Sequence, residues 1–117
     1  MTSTEKQLAA HNSKVVVTDF LNALNQEDFE IASEQLADDM HFIGVMGERK
    51  GAAVYMEDMK KMRFKYDIKK IFSDENEVCI WYEINMGAKT IFSAGWYKLE
   101  GEKIKSFQVI FDPRPLL

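Results

Sequence analysis

The chain has 117 residues, 46% of them apolar. That suits one domain, 1–117, able to bury roughly two-thirds of its unfolded surface, and it excludes a disordered tail. Its 15 Lys and Arg against 19 Asp and Glu leave a net charge of −4, which argues against a broad nucleic-acid-binding surface. The single cysteine, Cys79, excludes an internal disulfide and a Cys-based zinc cage, and no run approaches the ~20 apolar residues of a membrane span.

The N-terminal stretch MTSTEKQLAAHNSK has no apolar leader core. With one free thiol it predicts a cytoplasmic protein. A first helix is predicted from about Thr4 to Leu24, with Leu8, Val15, Val16, Phe20 and Leu24 on one buried stripe. Asn25-Gln26-Glu27 breaks it. Asp28, whose carboxylate can cap free backbone N–H groups, starts a second helix that buries Phe29, Ala32 and Leu36 and stops at Ala37-Asp38-Asp39. Met40 to Met46 reads as a first strand and Gly47-Glu48-Arg49-Lys50-Gly51 as a loop. A third helix follows, with Ala52, Tyr55, Met59 and Met62 on one face.

Extended segments fill the rest. Phe64 to Lys69 alternates apolar and charged residues, and Ser73-Asp74-Glu75-Asn76 is turn chemistry. Glu77 to Met86, Thr90 to Leu99 and Ile104 to Phe111 read as strands joined by Gly87-Ala88-Lys89 and Glu100-Gly101-Glu102-Lys103. Helices preceding a meander make the class α+β. Both prolines lie in the tail Phe111–Leu117, which they should hold extended, with Arg114 pairing Asp112 or a carboxylate at a pocket mouth.

The last three strands are apolar on both faces. One set holds Val78, Ile80, Tyr82, Ile84, Ile91, Ser93, Gly95, Tyr97, Phe107, Val109 and Phe111; the other holds Cys79, Trp81, Glu83, Phe92, Ala94, Trp96, Ser106, Gln108 and Ile110. Helices can cover only one of these faces. The other would leave a patch too large for a typical monomer, so a two-fold homodimer interface is expected there.

Phe20-Leu21-Asn22-Ala23-Leu24-Asn25, Asp28-Phe29, Leu36-Ala37-Asp38-Asp39, Gly51 before the third helix and Gly95-Trp96-Tyr97 together resemble the nuclear-transport-factor-2-like superfamily, particularly its SnoaL-like members. The resemblance covers nearly the whole chain. It implies a cone-shaped roll: three N-terminal helices packed in a strongly curved, mostly antiparallel sheet, with a pocket at the open end. It also implies a strand phase, with the first set turned toward the helices and Trp81, Glu83, Phe92, Trp96, Gln108 and Ile110 left for a dimer face. The opposite phase would put Trp81, Trp96 and Glu83 in the pocket and make Glu83 a general-base candidate raised in pKa by burial.

Members of the superfamily include steroid isomerases, polyketide cyclases, dehydratases and proteins that only bind or dimerise, and the fold alone does not choose among them. A steroid isomerase needs a carboxylate base, a Tyr and a protonated Asp. The family pattern puts the Tyr position at Phe20, the base at Gly44 and the second donor at or beside Gly95. None of these side chains can exchange a proton, so that catalytic set is lacking and the catalytic residues are unassigned.

The expected ligand-binding residues are Phe20, Met46, Tyr55, Met59, Tyr82, Ser93, Tyr97, Phe107 and Phe111, with Met62 adding to the apolar lining. Met adapts to varied ligand shapes, and phenols can orient a ligand carbonyl. The reading is a binder of a small hydrophobic or aromatic molecule without a cofactor. The alternatives are an isomerase, cyclase or dehydratase using a pocket Tyr with Asp112 or Glu83, and a dimeric accessory module with a vestigial pocket. Asp38 and Asp39 diverge too far to act together. His41 should point away from pocket-facing Phe42, and two distant histidines make a metal site improbable. Lys60, Lys61, Arg63, Lys65, Lys69 and Lys70 read as a solvated charged face rather than a nucleic-acid site.

Overall fold

The computed structural model describes residues 3–117. A 23-residue helix, α1 (Ser3–Asn25), leads into a one-and-a-half-turn helix, α2 (Phe29–Glu34), and a third helix, α3 (Ala52–Met62), follows the first hairpin. Six strands, β1 (Leu36–Gly44), β2 (Gly47–Lys50), β3 (Lys65–Asp74), β4 (Glu77–Asn85), β5 (Thr90–Glu100) and β6 (Lys103–Phe111), form one sheet in the order β2-β1-β6-β5-β4-β3. Every pairing is antiparallel except β1 with β6. The helices lie on one face, with α1 against β3 and β4 and α3 against β1.

Local chemistry accounts for the joints. Asp28 caps α2 by accepting from the Ile31 N–H at 3.2 Å. Gly51 starts α3 at φ 98°, a conformation that suits a residue without Cβ, and its N–H donates to the Met40 carbonyl at 2.7 Å. Asn25, the last residue of α1, bonds both sides of the Tyr66 peptide: its Nδ2 donates to the Tyr66 carbonyl at 2.8 Å and its Oδ1 accepts from the Tyr66 N–H at 2.7 Å. Glu27 reinforces this joint through Arg63 at 2.7 Å and Lys65 at 2.9 Å, so edge strand β3 is pinned to the helix end. Lys69 pairs with Asp67, so much of the basic run is engaged with carboxylates at the surface.

Several expected boundaries move. Leu36 to Asp39 belong to β1, because Leu36 pairs with Ile104 and the Ile104 N–H donates to the Gln35 carbonyl, which draws the chain into the sheet right after the α2 cap. Asp38 and Asp39 are exposed strand residues, Asp39 pairing with Lys105 on the neighbouring strand. Gly47–Lys50 is a strand, not a loop; all four residues are exposed, so no apolar alternation marks it. Leu8 and Val15 lie on the exposed side of α1, and its buried face is Ser13, Val17, Phe20, Leu21, Ala23 and Leu24. The tail is not extended: Arg114–Leu116 forms a 3-10 turn, with Arg114 clamped on Asp112.

The strand phase is the one that the resemblance implies. Val78, Ile80, Tyr82, Ile84, Ser93, Tyr97, Phe107 and Val109 are buried against the helices, while Trp81, Phe92, Trp96 and Ile110 are each about half exposed on the opposite face. Two bulges adjust the alternation. One extra residue between Ile68 and Lys70 lets both Ile68 and Ile71 pack inward, and another beside Lys98 and Leu99 keeps Ile104 and Phe107 on the same face.

Candidate functional site

At the open end, between α3 and the inner sheet face, lies a cavity of about 60 Å³. Phe42, Gly44, Tyr55, Met59, Phe64, Tyr66, Tyr82, Ile84, Met86, Tyr97, Phe107, Val109 and Phe111 line it. Tyr97 stacks on Phe107 with ring centroids 4.6 Å apart, Tyr55 meets Phe107 edge-on at 5.3 Å, and Phe42 leans on both at 5.0 Å. These aromatic contacts fill most of the space that the cone would otherwise leave. Phe64, Met86 and Phe111 are only partly buried.

All four tyrosines of the chain line this cavity. The Tyr82 and Tyr97 hydroxyls share a 2.9 Å hydrogen bond, and the Tyr66 hydroxyl donates to Met59 Sδ at 3.8 Å. Burial pushes all four phenols up, so at neutral pH they are uncharged donors rather than bases. No carboxylate, imidazole, ammonium or guanidinium group is among the lining side chains. Among the described residues no group of three or more His, Cys, Asp or Glu could hold a metal ion.

Of the expected binding residues, Tyr55, Met59, Tyr82, Tyr97, Phe107 and Phe111 are brought together here. Three are not. Met46 sits at the tip of the β1–β2 hairpin and is 71% exposed, because Gly44 pairs with Gly47 and turns the chain there. Phe20 is fully buried one layer deeper, edge-on to Phe107 at 6.0 Å, as core. Ser93 is buried on the inner face but spends its hydroxyl on the Ile91 carbonyl at 3.1 Å. Met62, 51% exposed at the end of α3, also lies outside. Seven lining residues fall outside that expected set: Phe42, Gly44, Phe64, Tyr66, Ile84, Met86 and Val109. The strand phase turns Ile84 and Val109 inward, and the alternation Phe64, Tyr66, Ile68 signals two more; Met86 follows the last residue of β4, where alternation gives no guide.

The three positions carried over from steroid isomerases also resolve. Gly44 lines the cavity, Phe20 is core, and Gly95 is buried beneath Tyr82. A Cβ on Gly95 would lie 2.5 Å from Tyr82 Oη, so the glycine is what lets the phenol cross the neighbouring strand. The two carboxylates nominated for a different acid–base set stay outside. Glu83 lies on the outer face with Lys69 Nζ 4.0 Å away, and Asp112 is held by the Arg114 guanidinium, which keeps its carboxyl below the usual range. His41 bonds Glu48 at 2.8 Å, away from the cavity.

On the opposite face, Cys79, Trp81, Ala94, Trp96, Gln108 and Ile110 border a shallow groove of about 410 Å³. Trp81 meets Phe92 edge-on at 5.6 Å, Lys98 lies over the Trp96 ring at 4.3 Å, and Trp96 Nε1 donates to Glu77 at 2.8 Å. No helix among the described residues is long and apolar enough to cross a membrane.

The fold is thus three helices packed on one face of a six-stranded sheet, with a cavity between them. The SnoaL-like domain model matches residues 17–107, and the chain belongs to that family, within the fold described as NTF2-like or cystatin-like. An NTF2-like protein of unknown function from Cytophaga hutchinsonii ATCC 33406 is 47% identical, with a TM-score of 0.87 over 89% of this chain and 93% of that one. A putative ketosteroid isomerase from Kribbella flavida DSM 17836 is 10% identical with a TM-score of 0.81, covering 88% and 79% of the two chains. An LEH-like epoxide hydrolase from M. tuberculosis is 22% identical with a TM-score of 0.79, covering 90% and 86%. The last two show likeness of fold alone. No match is found among curated proteins.

Proposed function

We propose that this SnoaL-like domain is a non-catalytic binder of a small apolar or aromatic molecule, and that it works as a homodimer joined through the outer face of its sheet. The composition of the cavity carries the first half. Its lining is hydrocarbon, thioether and neutral phenol, so it offers apolar contact and hydrogen-bond donors but no group that could take a proton from a substrate near neutral pH.

Size limits the ligand. A dry cavity of about 150 Å³ accommodates benzene, and this one is about 60 Å³. Entry of anything larger than a few heavy atoms requires partly buried lining residues such as Phe64, Met86 and Phe111 to swing outward. A thermal-shift panel tests this. Single-ring aromatics and short apolar chains should raise Tm at saturating concentration, and fused-ring steroids should not. No shift with any of them would overturn the binding role.

The small volume is also the observation that favours a second reading, an accessory dimer module whose pocket has been filled by its own aromatic rings. Both readings share the dimer. Its support is the outer face, where Trp81, Phe92, Trp96 and Ile110 are 45–57% exposed side by side, flanked by Glu83 and Gln108. Trp81→Glu should convert a dimer into a monomer in sedimentation at micromolar concentration, and a wild-type chain that is already monomeric there removes the interface.

A further inference from the structure

The Tyr82–Tyr97 pair holds one more donor than the bond between them uses. Tyr82 and Tyr97 carry one phenolic proton each, and the bond between their oxygens uses only one of the two. Neither hydroxyl has another partner among the described residues. Both side chains belong to the cavity lining and are 0% and 1% exposed, so the second proton is shielded from bulk water. A buried donor without an acceptor is unfavourable, and a ligand that supplies the acceptor gains what the empty site lacks.

Charge and shape narrow the class of ligand. No cation lines the cavity, so a buried carboxylate or phosphate would be left uncompensated. The space beside the phenols is about 60 Å³, well under the ~150 Å³ of a dry cavity that holds benzene. As it stands it admits a small polar head, and a ring enters only if lining residues swing outward. Phe64, Met86 and Phe111 are wholly apolar in their side chains and, being partly exposed, offer an exit for a hydrocarbon body.

We infer that the cavity takes an unbranched apolar molecule ending in a small neutral acceptor, a methyl ketone or aldehyde of medium chain length. Its oxygen accepts the spare proton of the Tyr82–Tyr97 pair, and its chain leaves between Phe64, Met86 and Phe111. This rests on the binding role proposed above and adds the ligand's chemistry to it.

The experiment compares three probes of matched length on the full chain by protein-observed NMR of the methionine methyl groups. They are methyl butyl ketone, its isostere with a methylidene group in place of the carbonyl oxygen, and hexanoate. The ketone should bind about tenfold more tightly than the isostere, the worth of one net hydrogen bond, and hexanoate more weakly than either. In the Tyr82→Phe/Tyr97→Phe double variant the ketone and isostere should bind equally. If that variant does not fold, the wild-type ratio alone decides. Equal binding of ketone and isostere to the wild-type chain would overturn the hydrogen-bond assignment and leave the apolar binder standing. Tightest binding of hexanoate would overturn it too. Failure of all three to bind would remove the binding role itself.

Discussion

Gly95→Ala is the sharpest test of how the inner face is packed. Ordinary van der Waals contact begins near 3.4 Å, whereas the new Cβ would stand 2.5 Å from Tyr82 Oη and 2.7 Å from Tyr97 Cε1. The Tyr82 oxygen would have to retreat by about 0.9 Å. It cannot do so freely, because its hydroxyl is bonded to Tyr97 at 2.9 Å and its ring is packed on Tyr66 at 5.5 Å. The Tyr97 ring, the second obstacle, is stacked on Phe107. Overpacking of this kind costs about 1–3 kcal/mol, and loss of the Tyr82–Tyr97 bond adds about 1 kcal/mol, for a total of about 2–4 kcal/mol. For a domain of this size that lowers Tm by roughly 8–16 °C, measured at one fixed protein concentration. Adding Tyr82→Phe removes the nearest clashing atom, so the double variant should recover part of the loss. A Gly95→Ala protein as stable as the wild type, or a double variant whose losses simply add, would refute this account of the glycine.

Asn25→Ala should cost about 1–3 kcal/mol in denaturant unfolding, because it strips both hydrogen bonds from the Tyr66 peptide on an edge strand; amide exchange at Tyr66 should accelerate with it. The four tyrosines, all raised above their ordinary value of 10 by burial, should show no tyrosinate absorbance while the fold is intact. Their stabilising contribution is complete below pH 10 and is lost as pH climbs toward the raised folded values, so ionisation and loss of circular dichroism should coincide. A tyrosinate signal at pH 10 with native dichroism would show that the phenols are wet. At the acid end, the Glu27 carboxyl is held below its ordinary 4.5 chiefly by its hydrogen bond to Lys65. The stability it contributes is present above that value and lost as pH falls through the lowered folded value, so Glu27→Gln should flatten the acid limb of a stability–pH profile below about pH 4.5.

Much of the architecture was legible because period and punctuation are local properties. The stop at Asn25, the cap at Asp28, the third helix from Ala52 to Met62 and the hairpins around Gly87 and Gly101 all follow from side chains acting on their own backbone. The sequence by itself determined that the last strands are apolar on both faces, and the family resemblance supplied the direction in which they turn. Only the tertiary structure decided what depends on partners distant in the chain. Leu36 joins a strand because Ile104 lies beside it, and β2 is a strand because β1 supplies its hydrogen bonds. The cavity is the clearest case. Every ring that fills it was readable as apolar or aromatic, but a void is what remains after Phe42, Tyr55, Tyr97 and Phe107 pack together, and its volume is set by their mutual angles rather than by the identity of any one of them.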